Sequence, residues 1–400
     1  MTQDKKDKSA WRTQTRLVHE GMERSLFGET AEALYLTSGY VYDSAEQAEA
    51  RFKEEEEGDY IYSRFGNPTV RAFETRMMAL EQAEDARATA TGMAAVTACL
   101  MSQLEAGDHI VAARALFGSC RYVVETLLPR FGVACTLVDG RDLDAWQAAL
   151  RPETKVLFLE TPSNPVLEII DIQGVADIAH NHGCRLVVDN VFATPVLQKP
   201  MQMGADMTIY SATKHIDGQG RCLGGIVLGS QDYVKNELAN FIRQTGPSMA
   251  PFNAWVMLKA LETLHMRVDR HCDNAEQLTD MLVAHKKIAR VYYPGHDSHP
   301  QVELARRQMT RGSNLIAFDV KGGKADAFAL ANSLEIAHIS NNLGDAKTLI
   351  THPATTTHAK LTDAAKAELA IQDGTLRLSV GLEDAADLLE DFEHALAKLA

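Results

Sequence analysis

A lysine stands where the backbone is about to turn tightly. The stretch "TIYSATKHIDGQGR", Thr208 to Arg221, ends a short apolar run in Ser211, Thr213 and Lys214 and passes straight into a glycine-rich loop. Twenty-five positions upstream, "LVVDNVFATP" closes another apolar run with Asp189. An acid at a strand end faces either a helix N-terminus or a ligand, and a lysine there is either a solvated loop cation or a nucleophile. Singly, each residue has a plain structural explanation. As a pair they offer an amine that can attack a carbonyl and a carboxylate that can hold a proton on a neighbouring base.

A third element adds an anion site. In "TATGMAAVTACLMSQL", Gly92 and Met93 open an apolar helical run, and the first backbone N–H groups of a helix point outward as anion donors. Glycine lets an anion approach the backbone closely, although a plain turn before a core helix would read the same way. Ser211 and Thr213 add hydroxyl donors from the lysine side. An aldehyde for the lysine, a ring nitrogen for the acid and a phosphate for the helix are together the requirements of pyridoxal 5'-phosphate. The acid keeps the ring nitrogen protonated so that the ring accepts electrons, and each pKa unit of that bias is worth ~1.4 kcal/mol.

The elements that must carry these residues follow from periodicity. Apolar runs "DHIVAAR", "ACTLVDG", "KVLFLE", "CRLVVDN", "MTIYS" and "GGIVLGS" alternate with helix-like "LDAWQAALRP" and "IQGVADIAHNHG". Unbroken apolar strands alternating with helices predict an α/β domain with a mostly parallel sheet covered on both faces. Its ligands belong outside the carboxyl ends of the strands, where Asp189 and Lys214 fall. Four hundred residues exceed one hydrophobic core, so the chain divides by expectation into an arm over 1–65, a ligand-binding α/β domain over 66–260 and a C-terminal α+β domain over 261–400. The last opens with a helical run, "NAWVMLKALETLHMRVDRHCDNAEQL", and ends in an amphipathic helix from Asp384. In the arm, "RFKEEEEGDY" reads as a solvated helix face.

Composition narrows the function classes. A formal charge of -14 argues against binding nucleic acid or an anionic membrane, and no apolar run is long enough to span a bilayer. The six cysteines, Cys99, Cys120, Cys135, Cys184, Cys222 and Cys272, form no C-x-x-C pair and read as reduced core residues. The polar N-terminus, "MTQDKKDKSAWRTQT", has no signal core, so the expected compartment is the cytoplasm.

Six motifs in order, "YSRFGNPT", "TGMAA", "ETPSNP", "VVDNVFATP", "GAD…YSATKH…G" and "LRLSVGLED", resemble the pyridoxal-phosphate enzymes of cysteine and methionine metabolism. That family includes cystathionine synthases and lyases, methionine lyase and the O-acylhomoserine sulfhydrylases. The resemblance implies a PLP-dependent transferase-like large domain of the aspartate aminotransferase type, and a homo-oligomer, a tetramer by family likeness. It implies that Lys214 binds the cofactor covalently and shuttles protons, and that Asp189 pairs with the ring nitrogen. Gly92, Met93, Ser211 and Thr213 would hold the phosphate, with Tyr62 and Arg64 reaching the phosphate of a neighbouring subunit. Asn164 would lie beside the ring oxygen and Phe117 would stack on the ring. Arg377 would clamp the substrate carboxylate, a bidentate task for a guanidinium, and Asn342 would line the substrate side.

Two departures bear on the reaction. Most of the family carries a tyrosine where this chain has Phe117, and methionine lyases carry a cysteine where it has Ser119. Losing both weakens a lyase reading, because a thiolate needs protonation to leave and a carboxylate does not. "SATKHIDGQGR" and "ISNNLGDAKTLITHPATTTH" look most like the O-succinylhomoserine sulfhydrylase branch. The expected reaction is therefore γ-replacement on an acylhomoserine by sulfide. Cystathionine γ-synthase and O-acetylhomoserine sulfhydrylase chemistry are the alternatives, with thioether lysis behind them. A dinucleotide site at Gly218, Gly220 and Gly224 fails because a strand rather than a helix follows. No phosphate-loop motif occurs, and "HNH" (His180 to His182) and "HDSH" (His296 to His299) read as surface histidines rather than zinc ligands.

Overall fold

The computed structural model describes residues 11–53 and 58–399. Glu54 to Glu57 of "RFKEEEEGDY" and the first ten residues of the polar N-terminus lie outside the described residues. The described part of the acidic stretch enters the helix Ala45–Lys53, which has no buried residue.

Seven strands form one sheet: β1 (Asp85–Thr89), β2 (His109–Ala113), β3 (Ala134–Val138), β4 (Thr154–Glu160), β5 (Arg185–Asp189), β6 (Met207–Tyr210) and β7 (Gly225–Gly229). Their order is β1-β7-β6-β5-β4-β2-β3. The β2–β3, β2–β4 and β4–β5 ladders are parallel and β1–β7 is antiparallel. The predicted strands are thus β2 to β7. The added strand, β1, has the sequence "DARAT", too polar and alanine-rich to stand out by pattern. A second sheet holds β8 (Ile288–Tyr292), β9 (Leu315–Val320), β10 (His338–Ile339), β11 (Leu349–Thr351) and β12 (Thr375–Ser379), in the order β10-β11-β12-β9-β8.

The described residues group into two compact units. The first takes in the chain up to Gln103, then Ile209–Thr213 and Cys222–Thr263. Its helix Pro68–Glu81 starts where the Asn67 side chain accepts the Thr69 and Val70 N–H groups and Pro68 occupies the first turn. Fully buried Arg76 on that helix donates to Glu32 Oε1 (2.5 Å) and to the Leu258 carbonyl (3.1 Å), so the buried charge is paired.

The second unit comprises Leu104–Thr208, Lys214–Arg221 and Leu264 onward. Asp171 caps the helix Ile172–Asn181 by accepting the Gly174 N–H. Its Ile172, Val175, Ala176 and Ala179, at i, i+3, i+4 and i+7, pack with Val111, Leu157, Leu159, Leu186 and Val188 of β2, β4 and β5. Trp146, fully buried on the helix Leu143–Ala149, joins that cluster and donates its indole N–H to the Gly140 carbonyl. Around the second sheet, Leu378, Phe318 and Ile316 pack with Leu388, Phe392 and Leu396 of the terminal helix Ala385–Ala397, the helix expected from Asp384, which caps it by accepting the Ala386 N–H.

Two expectations need correction. The long helical run is two helices, Pro251–Leu261 and Leu264–Ala284, the first in one unit and the second in the other; their shared apolar pattern hides the interruption at Glu262 and Thr263. His299 is not a surface residue: it is buried and its Nε2 meets the Leu167 carbonyl at 3.2 Å, whereas His180 and His182 are exposed. None of the six cysteines is in a disulfide, and four of them are buried. No described helix is long and apolar enough to cross a membrane.

Candidate active site

In the second unit the carboxyl ends of two neighbouring parallel strands each present a buried acid. Asp189 ends β5, and Glu160, its partner in register, ends β4. Asp189 Oδ1 accepts the Val191 N–H at 3.1 Å. Burial pushes the Asp189 carboxyl up to about 7, against the lowering effect of that hydrogen bond. Burial first, and the neighbouring Asp189 second, push Glu160 well above the ordinary carboxylate range. Two acids so placed favour one negative charge and welcome a cation beside them.

Lys214 follows β6 by four residues, half-buried, and its Nζ donates to Asn342 Oδ1 at 2.6 Å. Burial, aided by the charge of Arg377, lowers the amine to about 8. Arg377 sits in the middle of β12, wholly enclosed. Its Nη1 donates to Asn164 Oδ1 (2.9 Å) and its Nη2 to the Asn341 carbonyl (2.9 Å). Its Nε is buried with no hydrogen-bond partner. Burial lowers this guanidinium to about 10, still charged at neutral pH. A buried cation with an unused donor is a receptor for a carboxylate.

The lysine loop is fixed from behind. His215 Nε2 lies 2.7 Å from Asn314 Oδ1, and Asn314 spends its own N–H groups on the Val380 carbonyl and Ser379 Oγ. The imidazole therefore carries its proton on Nε2. Burial lowers His215 to about 4, so it is neutral. Gly344, at φ 72°, closes on this loop so tightly that a Cβ would lie 2.6 Å from the His215 backbone nitrogen. That contact sets the turn carrying Asn342 against the loop carrying Lys214.

Phe117, 37% exposed, immediately precedes the helix Gly118–Tyr122, and its N–H donates to Glu160 Oε2 at 2.6 Å. The other oxygen, Oε1, accepts the Asn164 N–H at 3.0 Å. Of the predicted residues, the second unit thus joins Lys214 with Asn342, Arg377 and Asn164, while Glu160 ties Asn164 to Phe117 and lies in register with Asp189. Glu160 and His215 are additions. Glu160 carries the signal that exposed Asp189, a charge ending an apolar strand, but its two hydrogen-bond partners depend on loop geometry invisible in the letters.

The first unit holds the remaining predicted residues. The helix Gly92–Met101 begins at Gly92, with Thr91 capping it by accepting the Ala94 N–H. A Cβ on Gly92 would lie 2.6 Å from Ser211 Cβ and 2.7 Å from its Oγ, so only glycine lets this helix N-terminus meet the end of β6. That seat joins helix-end N–H groups to a hydroxyl, a donor set for phosphate. Thr213 exchanges hydrogen bonds with Gly224, its Oγ1 accepting the Gly224 N–H at 3.1 Å, which fixes the last residue before Lys214. Tyr62 is exposed, and the Arg64 guanidinium, 4.9 Å from the Phe65 ring, donates to the Arg243 carbonyl. The residues present fit pyridoxal phosphate in its three requirements: a glycine cradle that a Cβ would fill, a buried strand-end acid and an amine with a lowered pKa. Among the described residues no group of three or more metal-ligating side chains occurs.

Known proteins agree with this chemistry. The family model for Cys/Met metabolism PLP-dependent enzymes matches residues 14–397, and the chain belongs to that family. It is 50% identical to an O-succinylhomoserine sulfhydrylase of Mycobacterium tuberculosis over 95% of this chain and 94% of the relative. An L-methionine gamma-lyase of Porphyromonas gingivalis is 41% identical over 96% of this chain and 97% of its own. A Campylobacter jejuni protein solved with a pyridoxyl-lysine 5'-monophosphate residue superposes with a TM-score of 0.93 at 30% identity, covering 97% of this chain and 100% of that one. This chain is accordingly a pyridoxal-phosphate-dependent enzyme with a mostly parallel α/β sheet and a second, smaller sheet.

Proposed function

We propose that the enzyme carries out γ-replacement on O-succinylhomoserine with sulfide, releasing succinate and forming homocysteine for methionine biosynthesis. The observation that carries this reading is Phe117: the residue whose backbone N–H joins the Glu160–Asn164–Arg377 chain has no phenol, so that position cannot protonate a departing thiolate. Succinate is a stable anion without such help. The higher identity to the sulfhydrylase than to the lyase supports the same choice.

Bound pyridoxal phosphate supplies the electron sink for charge that develops at the substrate α carbon. Arg377 receives the α-carboxylate through its unused Nε–H, with Asn164 orienting the guanidinium. Lys214, with its pKa lowered to about 8, takes and returns protons at the carbons, and Asn342 aims its Nζ. Asp189 holds the proton on the ring nitrogen. Gly92, Met93, Ser211 and Thr213 take the phosphate. The γ-carbon–oxygen bond breaks with its electrons going to succinate, and a carbon–sulfur bond forms from sulfide.

Residues 1–65 act in this reading as an arm that brings Tyr62 and Arg64 to the phosphate of a neighbouring subunit, in a homotetramer. The compartment is the cytoplasm, in keeping with six cysteines that form no disulfide. The test is product analysis with O-succinyl- and O-acetylhomoserine, each offered sulfide or cysteine. Homocysteine and succinate as the main products support the reading. Cystathionine from cysteine, or a preference for the acetyl ester, would replace it.

A further inference from the structure

Glu160 has a place in this site that the chemistry above does not use. It is almost wholly buried at the end of β4, and a buried carboxylate is retained only where its oxygens are well occupied. Both are occupied, and both by predicted site residues. Oε2 accepts the backbone N–H of Phe117 at 2.6 Å, and Oε1 accepts that of Asn164 at 3.0 Å. Asn164 then receives Arg377 Nη1 on its side-chain oxygen at 2.9 Å. One carboxylate therefore stands between the segment that carries the aromatic ring and the segment that orients the guanidinium.

We propose that Glu160 is a positioning residue that sets the Phe117 ring and the Asn164–Arg377 pair together, so that cofactor stacking and substrate-carboxylate binding share one support. A carboxyl group has an oxygen for each of the two N–H groups, and both donors favour its ionised form against the cost of burial. A glutamine in its place has one carbonyl oxygen and one NH2, so one of the two backbone donors must face another donor. The charge of Arg377 offsets part of the cost of burying a second carboxylate beside Asp189. The inference rests on the pyridoxal-phosphate reading of the site, and the wild-type holoenzyme tests that reading separately. If the wild type neither binds pyridoxal phosphate nor turns over, the functional proposal fails before Glu160 is in question.

The experiment compares Glu160→Gln with wild type, both as holoenzyme, by visible circular dichroism of the bound cofactor and by steady-state kinetics on the amino-acid substrate. Circular dichroism reports the ring's asymmetric surroundings, and KM reports the carboxylate receptor. The expected result is a changed cofactor signal together with a rise in KM of about tenfold, the effect of loosening a hydrogen bond to a charged group. In an Arg377→Lys background, where the guanidinium receptor is already lost, Glu160→Gln should leave KM unchanged and still alter the cofactor signal. A carboxylate that only satisfies two buried donors would instead lower thermal stability and move neither readout. Unchanged dichroism and KM in the folded variant, or KM effects that multiply independently with Arg377→Lys, overturn the proposal. If Glu160→Gln does not fold, Glu160→Asp, which keeps both acceptors but draws them back by one methylene, should show the same paired change at smaller amplitude. If neither variant folds, Glu160 is a folding requirement and the positioning role is withdrawn.

Discussion

An amine whose pKa has fallen to about 8 is largely free base at mildly alkaline pH, whereas an ordinary lysine is not. The rate at which Lys214 captures pyridoxal phosphate should therefore rise through pH 8 and level off. Arg377→Met removes a neighbouring positive charge, so the midpoint should move upward in stopped-flow absorbance. A midpoint near the ordinary lysine value in wild type would refute the lowered pKa, and borohydride trapping followed by peptide mapping should place the label on Lys214 alone. Asp189 makes the opposite kind of statement. Its folded pKa, about 7, lies above its ordinary value, so its contribution to stability is complete below the ordinary carboxylate pKa and is lost as pH rises through 7. Urea denaturation of the cofactor-free protein should show that decline, and Asp189→Asn should flatten it. A residual slope from Glu160, which shifts in the same direction, should persist. Identical pH profiles for the variant and wild type would contradict the burial argument.

Helix ends and strand ends do most of the positioning, and they differ in how plainly the letters declare them. The Gly92 helix start was legible from a glycine opening an apolar run, a pattern that a plain turn shares, and the structure adds the reason for the glycine: Ser211 occupies the place of its missing side chain. Gly92→Ala should weaken pyridoxal phosphate binding about tenfold in equilibrium dialysis, with an overpacking cost of about 1–3 kcal/mol in thermal unfolding. Unchanged affinity would mean that this helix does not face the phosphate. Asp189 and Lys214 were legible for the same reason, a charge closing an apolar strand. β1 was not, because "DARAT" lacks the β-branched, aromatic pattern of its neighbours and gains its place by pairing with β7. Nor was the break between Leu261 and Leu264, where no glycine or proline marks the turn. Buried His299 was misread because its partner, the Leu167 carbonyl, is remote in sequence. Glu160 lay in view inside "ETPSNP", yet its function depends on which N–H groups two loops bring to it.

At the scale of the whole molecule, exposed Tyr62 and the nearby Arg64 invite a shared-site test. Sedimentation should show an assembly of at least two chains. Mixing inactive Lys214→Ala with weakened Arg64→Ala should restore activity, because in the proposed shared site a hybrid would contain one site with Lys214 from one chain and Arg64 from its partner. No restoration in verified hybrids would mean that Arg64 serves its own chain. Fold, cofactor class and reaction finally meet in the choice between replacing a carboxylate and expelling a thiolate. A site that has Phe117 in place of an acidic phenol should do the first well and the second poorly, and Phe117→Tyr should narrow the difference. The direct measurement is kcat/KM on one preparation for homocysteine formation from O-succinylhomoserine and sulfide, set against kcat/KM for cleavage of methionine and of cystathionine. The account predicts that sulfide addition exceeds thioether cleavage by at least about tenfold, a difference of ~1.4 kcal/mol in barrier. Equal or faster cleavage of either thioether would contradict it and make the enzyme a lyase.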